Sequence, residues 1–169
     1  EVQRPLLSHD RAAAVAALEQ LRVRFPGHRL AKLGTLALAR YDAHPVKMLA
    51  AIESLLTEFP RNTTYAMAKV NVLRELNRQV ELLEILEAEG SSIEAEPLFM
   101  QSLAQVLLPM PHRQAEAEWL LRRSVRIRPA AAAGYFLLGT QWWEDRRFTD
   151  AAEIYRFAFV LEEREEQFA

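Results

Sequence analysis

Residues 132–158 read AAGYFLLGTQWWEDRRFTDAAEIYRFA. Apolar and small side chains recur in this stretch every three or four positions, which is the spacing of one helix face. They are Tyr135, Leu138, Gly139 and Trp142, followed by Ala151, Tyr155 and Ala158. The polar residues between the two groups predict a short turn. The stretch therefore predicts two antiparallel amphipathic helices that cross closely where their side chains are small.

Similar blocks fill the rest of the chain, and short breaks separate them. Strand signals are scarce, because the chain has only 5 Gly and contains neither Asn-Gly nor Asp-Gly. Several breaks contain proline, which cannot continue a helix and disfavours helical geometry in the residue before it. The sequence predicts an all-α fold with helices at about 9–25, 29–42, 45–58, 62–76, 78–88, 93–108, 112–127, 131–145 and 147–163.

The breaks recur at a regular interval. Two Phe-Pro pairs at 25–26 and 59–60 lie 34 residues apart, and Pro129 follows Pro60 by 69 residues, close to two further periods. A fixed period with two helices per period is typical of an α-solenoid, in which each helix pair packs against its neighbours. We therefore expect a row of stacked pairs without one closed central core.

These features resemble the tetratricopeptide repeat (TPR), whose 34-residue unit carries W-x2-L-G-x2-Y and then a small residue, a large apolar residue and proline. Leu138-Gly139 fits this form, and Leu33-Gly34 stands 105 residues earlier. The resemblance implies a right-handed superhelix of antiparallel helix pairs in a single domain over 1–169, which we expect to be an excerpt of a longer chain. Its approximate units are 1–27 (partial), 28–61, 62–92, 93–129 and 130–163.

Composition restricts the class of partner. The formal net charge is −2, so the chain has no global positive charge of the kind that attracts nucleic acid. The densest basic run, Arg122 to Arg128, lacks interleaved aromatic residues and is predicted to be a solvated helix face. The longest uncharged stretches have 15 residues, fewer than the roughly 18 to 20 that span a bilayer. We expect protein partners, no binding of nucleic acid and no membrane insertion. The sequence does not indicate a cellular compartment.

Catalytic and metal-binding patterns are not found in the sequence. The absence of cysteine excludes thiolate metal sites and cysteine nucleophiles. The sequence has no GxGxxG, GxxxxGK[ST] or GxSxG pattern, so phosphate-binding loops and nucleophile elbows have no support. The four histidines, His9, His28, His44 and His112, fall in or beside predicted breaks, where capping or turn roles are expected. We therefore predict no enzyme activity, no metal and no cofactor.

In TPR proteins the first helix of each unit lines a concave groove that binds peptide segments of partner proteins. Transferred to this sequence, the resemblance implies these groove residues: Lys32, Asn71, Arg74, Gln101, Gln105, Phe136, Thr140 and Trp143. Asn and Gln amides suit a peptide backbone because each offers a donor and an acceptor. Trp143 has two open interpretations, a binding hot spot or packing against a segment outside the sequence. Some TPR proteins bind a partner's C-terminal carboxylate through K-x3-N and N-x3-N patterns on successive first helices. This clamp is not reproduced here, because Leu36 stands four residues after Lys32 and Glu75 four residues after Asn71, where the patterns require Asn.

Three functional hypotheses follow from these observations. The first is a non-catalytic protein-interaction scaffold that binds a peptide or partner protein in its groove. The second is a regulatory or substrate-recruiting TPR segment of a larger enzyme or envelope-assembly protein. The third is self-association through terminal repeats, because a solenoid that ends within the array has an apolar end face.

Overall fold

The computed structural model describes residues 10–90 and 96–168. Within these ranges the chain forms nine α-helices, one short 3-10 helix at Pro111–Arg113 and no β-strand. The α-helices are α1 (Arg11–Arg24), α2 (Arg29–Tyr41), α3 (Pro45–Glu58), α4 (Thr63–Glu75), α5 (Gln79–Gly90), α6 (Pro97–Leu107), α7 (Gln114–Ile127), α8 (Ala132–Glu144) and α9 (Phe148–Phe168). The predicted all-α fold is confirmed.

The turns after α2, α4 and α8 share one backbone conformation. Each contains a non-glycine residue with positive φ, namely Ala43 (47°), Asn77 (56°) and Arg146 (62°). The residue after it donates its N–H to the carbonyl five residues earlier, as His44 does to Ala39 at 2.9 Å. This is the Schellman arrangement that closes a helix C-terminus. The three turns are spaced at the repeat period, so the repeat is visible in the main chain.

The breaks after α1, α3 and α7 form a second repeated turn. Phe25, Phe59 and Arg128 are the C-caps, each followed by proline and each with ψ between 66° and 77°. The carbonyl of each cap accepts an N–H from three residues later, at 3.1 to 3.2 Å. The following helices begin with different caps, since His28 and Asn62 accept a main-chain N–H through their side chains, whereas Ala131 cannot.

The chain forms two compact units, Glu1–Leu82 and Leu83–Ala169. In the first unit α1 contacts α2, α2 contacts α3, and α3 contacts α4. In the second unit α6, α7, α8 and α9 contact one another in sequence, and α6 also contacts α8. Each unit has its own buried side chains, among them Ile52, Leu55, Val70 and Leu73 in the first and Phe99, Leu103, Leu121 and Leu138 in the second.

Most predicted helix ends agree with the structure within one or two residues. The last helix continues to Phe168 instead of residue 163, since no proline or glycine interrupts it. The connection between α6 and α7 includes the extra 3-10 turn. Ser91 and Glu94 have the spacing of a capping box, and both lie outside the described residues, as does His9. The single-domain description and the unit boundaries of the sequence analysis stay predictions.

Candidate functional site

A connected group of aromatic side chains covers one side of the α8–α9 hairpin. We call it the aromatic face and define it as Phe136, Thr140 and Trp143 of α8 with Phe148, Tyr155 and Phe159 of α9. Ring centroids of Phe136 and Phe159 lie 5.6 Å apart, and those of Trp143 and Phe148 lie 4.9 Å apart, both edge-to-face. These are the distances and orientations preferred by aromatic pairs.

The outer rings of this face are exposed. Trp143 is 56% exposed, Phe148 51% and Phe159 59%. Tyr155 lies deeper, and its hydroxyl donates to Thr140 Oγ1 at 3.1 Å, while the Thr140 hydroxyl donates to the Phe136 carbonyl at 3.0 Å. Large apolar side chains that are exposed together, rather than singly, are typical of interaction surfaces.

Helix spacing and a close crossing explain why these side chains meet. Phe136, Thr140 and Trp143 follow one another at intervals of four and three residues, and therefore share a face of α8. Gly139 allows α9 to approach, since a Cβ at this position would lie 2.7 Å from the Tyr155 ring. Gly139 thus lets the two helices pack close together.

Two of the corresponding positions one repeat earlier lie against a helix. α6 and α8 begin 35 residues apart, and α7 and α9 begin 34 apart, so Gln101 and Val125 correspond to Phe136 and Phe159. Both lie against Gly134 of α8, where an added Cβ would be 3.1 Å from Gln101 Nε2 and 2.7 Å from Val125 Cγ1. Phe136 and Phe159 therefore occupy positions on which the preceding repeat seats a helix.

Trp142 is directed away from the aromatic face by polar contacts with α7. Its indole N–H donates to Glu118 Oε1 at 3.1 Å, and the guanidinium groups of Arg122 and Arg147 lie 5.2 and 4.5 Å from its ring centroid. Burial raises the pKa of Glu118, but hydrogen bonds from Arg122 and Trp142 outweigh this effect and hold that pKa below its usual value. These contacts leave Trp143 on the other side of α8.

The predicted groove residues of the central repeats differ in exposure. Asn71 and Arg74 are exposed one turn apart on α4. Gln101 is buried and its amide donates to Ser124 Oγ at 3.5 Å, whereas Gln105 is exposed. Only the predicted residues of α8 come together with further aromatic side chains. Their role in binding stays a prediction.

Lys32 occupies a different position in its repeat from the other predicted groove residues. α2 and α8 begin at Arg29 and Ala132, so Lys32 corresponds to Tyr135 and not to Phe136. Its ammonium group contacts Glu58 Oε1 at 2.7 Å and the Ser54 carbonyl at 3.1 Å, both in α3. Lys32 therefore faces the second helix of its own pair.

The sequence analysis did not assign Phe148 or Phe159 to a surface. Their spacing with Tyr155 is that of an amphipathic helix, which sequence reasoning attributes to a buried core. Nothing in their spacing alone separates an exposed face from a buried one. Trp119 on α7 is also exposed, at 55%, and stacks with Arg123 at 5.3 Å.

Other kinds of site find no support in the described residues. Within 10–90 and 96–168 no group of three His, Asp or Glu side chains is placed to hold a metal ion. No helix described by the structure has the length and apolar content needed to span a bilayer.

No protein-family model matches this sequence, and no curated protein matches it either. Solved structures do match: MamA superposes with a TM-score of 0.75 and 11% identity over 98% of this chain and 96% of that chain. YrrB, a TPR protein with an unusual peptide-binding site, superposes with a TM-score of 0.66 and 14% identity over 95% of this chain and 82% of its own. PilF of Pseudomonas aeruginosa superposes with a TM-score of 0.69 and 18% identity over 94% of this chain and 72% of its own. Together with the repeated turns, these similarities show that the chain has the all-α helical-repeat fold of TPR proteins.

Proposed function

We propose that this chain is a non-catalytic interaction scaffold and that its aromatic face binds an α-helix of a partner protein. The observation that carries the proposal is the exposure of Trp143, Phe148 and Phe159 on one side of the hairpin, where Phe159 packs against the half-buried Phe136 and Trp143 against Phe148. The fold supports a role in protein or peptide binding, which is usual for TPR proteins. The face contains three of the groove residues inferred from the sequence.

The chemistry of the face favours a protein segment as its ligand. Aromatic side chains supply a large contact area with few rotatable bonds, and Trp and Tyr are enriched among binding hot spots. Thr140 and Tyr155 add hydroxyl groups at the centre of the face, where they bond to each other. A partner residue that covers them would exclude water from an existing hydrogen bond and leave no buried group unsatisfied.

A helical partner is favoured because the preceding hairpin already seats a helix in this way. There α8 lies on α7, and its Gly134 contacts Val125, the counterpart of Phe159. By this analogy the partner helix would place a small residue over Phe159 and larger apolar residues one and two turns further on.

The test measures binding to a purified partner. A photo-reactive phenylalanine analogue at Phe159 would first capture and identify the partner in cell extract. The affinity of the purified partner would then be measured by calorimetry for the wild-type chain, Trp143→Ala and the control Trp119→Ala. Because a hot-spot residue contributes about 2 kcal/mol or more, we expect Trp143→Ala to weaken binding by about tenfold or more.

Trp119→Ala is a matched control because Trp119 has nearly the same exposure as Trp143 but lies on α7. It should change the affinity by less than about twofold, as expected for a residue outside an interface. Equal effects of the two substitutions, or no effect of Trp143→Ala, would contradict the assignment of the aromatic face. Circular dichroism would verify that each variant keeps its helical content.

A second copy of the chain is the alternative occupant of the aromatic face, since apolar end faces of repeat arrays can associate. Light scattering at several protein concentrations separates the two cases. A molecular mass that increases with concentration in the wild type, but not in Trp143→Ala, would indicate self-association. A strictly monomeric wild type would dismiss it.

A further inference from the structure

A cavity of about 620 Å³ lies among α1, α2 and α3 in the first unit. Its floor is apolar and consists of small or medium side chains that are themselves buried, Leu18, Ala31, Ala39 and Ala51. Its volume falls within the range of about 300 to 1,000 Å³ that is usual for ligand pockets. None of its lining residues belongs to the aromatic face, so the two surfaces can be tested separately.

The repeat register explains why the first unit has room here. The fourth and eleventh residues of α8 are Tyr135 and Trp142, whereas those of α2 are Lys32 and Ala39. In the second unit the two aromatic rings line the equivalent recess, of about 460 Å³. Among the described residues of the first unit, no aromatic side chain lines the cavity.

The second helix of each pair shows the same difference. α3 and α9 begin at Pro45 and Phe148, so Ser54 corresponds to Phe157. The Phe157 ring contacts Tyr135 edge-to-face, with centroids 4.9 Å apart. Ser54 has no ring to place there. The cavity in the first unit therefore lacks the aromatic side chains that stand at the equivalent repeat positions in the second unit.

Charged side chains surround the apolar floor. The lining includes four cationic side chains against two carboxylates, Arg11, Arg22, Lys32 and Lys47 against Glu19 and Asp42. Lys32 is also paired with Glu58 of α3, so the four cationic side chains face three carboxylates and one net positive charge remains, whereas the whole chain carries a formal charge of −2.

Part of the charged rim is fixed by ion pairs. Arg11 forms two hydrogen bonds to Asp42, at 2.7 and 2.8 Å. Arg22 contacts Glu19 at 2.8 Å and also donates to Thr35 Oγ1 at 3.1 Å. The bonds to Asp42 and Thr35 connect α1 to α2 and its C-cap at the rim of the cavity. They also place guanidinium groups where an incoming carboxylate can reach them.

We propose that this cavity is a second binding site, which takes one bulky aromatic side chain from an acidic peptide segment of a partner protein. The aromatic ring of the peptide fills the first-unit cavity, at the positions equivalent to those of Tyr135 and Trp142 in the second unit. Carboxylates that flank it in the peptide lie against the cationic rim, where Arg11, Arg22 and Lys47 are exposed. The site does not depend on the aromatic face.

The probe is the acetylated and amidated pentapeptide EDWED, titrated into the full isotope-labelled chain by two-dimensional NMR. We expect shifts in the amide signals of Leu18, Ala31, Thr35 and Ala51, which line the cavity. Replacing the peptide's Trp by Ala should weaken binding by about tenfold, because burial of a large apolar side chain contributes about 1.5 to 3 kcal/mol. The neutral peptide QNWQN should bind about threefold more weakly, because surface charge pairs contribute little.

Three protein variants test the site from the other side. Ala39→Trp reproduces Trp142 of the last repeat and should weaken binding of EDWED by about tenfold. Ala50→Trp fills the cavity from its exposed rim and replaces Ala39→Trp as the cavity-filling variant if Ala39→Trp does not fold. Ala16→Trp is the control, since Ala16 is an exposed residue of α1 that does not line the cavity; it should leave the affinity within about twofold.

The proposal fails on any of three results. One is the absence of shifts at the cavity amides up to about 5 mM peptide, a concentration that would detect even millimolar affinity. Another is equal binding of the Ala and Trp peptides. The third is unchanged binding to a folded cavity-filling variant. None of these results would bear on the aromatic face.

Discussion

Gly134 is the point at which α8 lies closest to the hairpin before it, and its replacement by alanine tests this packing directly. An added Cβ would lie 2.7 Å from Val125 Cγ1 and 3.1 Å from both Gln101 Nε2 and Ser124 Oγ. Carbon atoms in contact are normally separated by about 3.5 to 4.0 Å. The methyl group therefore has room only if the Val125 side chain or one of the helices shifts.

Two opposing contributions determine the size of the effect. Alanine is favoured over glycine inside a helix by about 1 kcal/mol. Overpacking of a closely packed contact costs about 1 to 3 kcal/mol. We expect Gly134→Ala to lower the free energy of unfolding by about 1 kcal/mol, where an unhindered helix position would show an increase of similar size.

A double-mutant cycle in urea unfolding experiments isolates the clash. Val125→Ala removes the side chain closest to the new methyl group, so the double variant should be more stable than the sum of the single effects predicts, by about 1 kcal/mol. Ala133→Gly, at the exposed neighbouring position, measures the local helix preference without the contact. A stabilising Gly134→Ala, or strict additivity with Val125→Ala, would refute the close approach of α8 to α7.

Three further predictions concern caps, turns and ion pairs. Asn62→Ala removes the side-chain acceptor for the Tyr65 N–H and should cost about 1 kcal/mol in thermal unfolding, whereas Asn62→Asp should retain most of the stability. Arg146→Gly should raise the melting temperature, since glycine relieves a left-handed conformation that costs other residues about 1 kcal/mol. Hydrogen bonds from Arg11 lower the pKa of Asp42, so the pair stabilises the fold above the unfolded pKa of about 3.9 and loses this effect as pH falls below it. In unfolding measured from about pH 5 to pH 2, wild type should therefore lose more stability than Asp42→Asn.

The helical fold was predictable from local chemistry. Phe25-Pro26, Phe59-Pro60 and Arg128-Pro129 end helices because proline restricts the preceding residue, and that restriction acts through covalent geometry. His28 does cap α2, accepting the Leu30 N–H at 3.2 Å, in agreement with the turn role expected of it. These effects depend on neighbours in sequence and need no knowledge of tertiary contacts.

The alignment of repeats was less predictable. The sequence analysis paired Leu33-Gly34 with Leu138-Gly139, but their helices begin at Arg29 and Ala132, which puts the two pairs two residues out of register. An error of two residues on a helix changes the direction of a side chain by roughly 200°. The Leu-Gly pairing would align Lys32 with Leu137, whereas the helix starts align it with Tyr135. Helix starts locate the register better than Leu-Gly pairs because their positions depend on capping and proline.

The candidate site was predictable in its α8 half alone. Trp143 was separable from Trp142 because neighbours on a helix diverge by about 100°. The exposure of Phe148 and Phe159 was not predictable, because it depends on whether another helix packs over α9. The same apolar spacing is found in buried helices. The cavity among α1, α2 and α3 could not be inferred either, because it depends on side chains from three helices being small together.

The Schellman turns after α2, α4 and α8 bear on how far such a sequence can diverge. Their closing bonds join main-chain N–H and C=O groups, as between His44 and Ala39, so these turns close without bonds from particular side chains. Surface substitutions can then accumulate along the helices while the path of the chain is maintained. This accounts for solved structures that superpose on 94 to 98% of the chain at 11 to 18% identity, a level at which sequence comparison alone detects nothing.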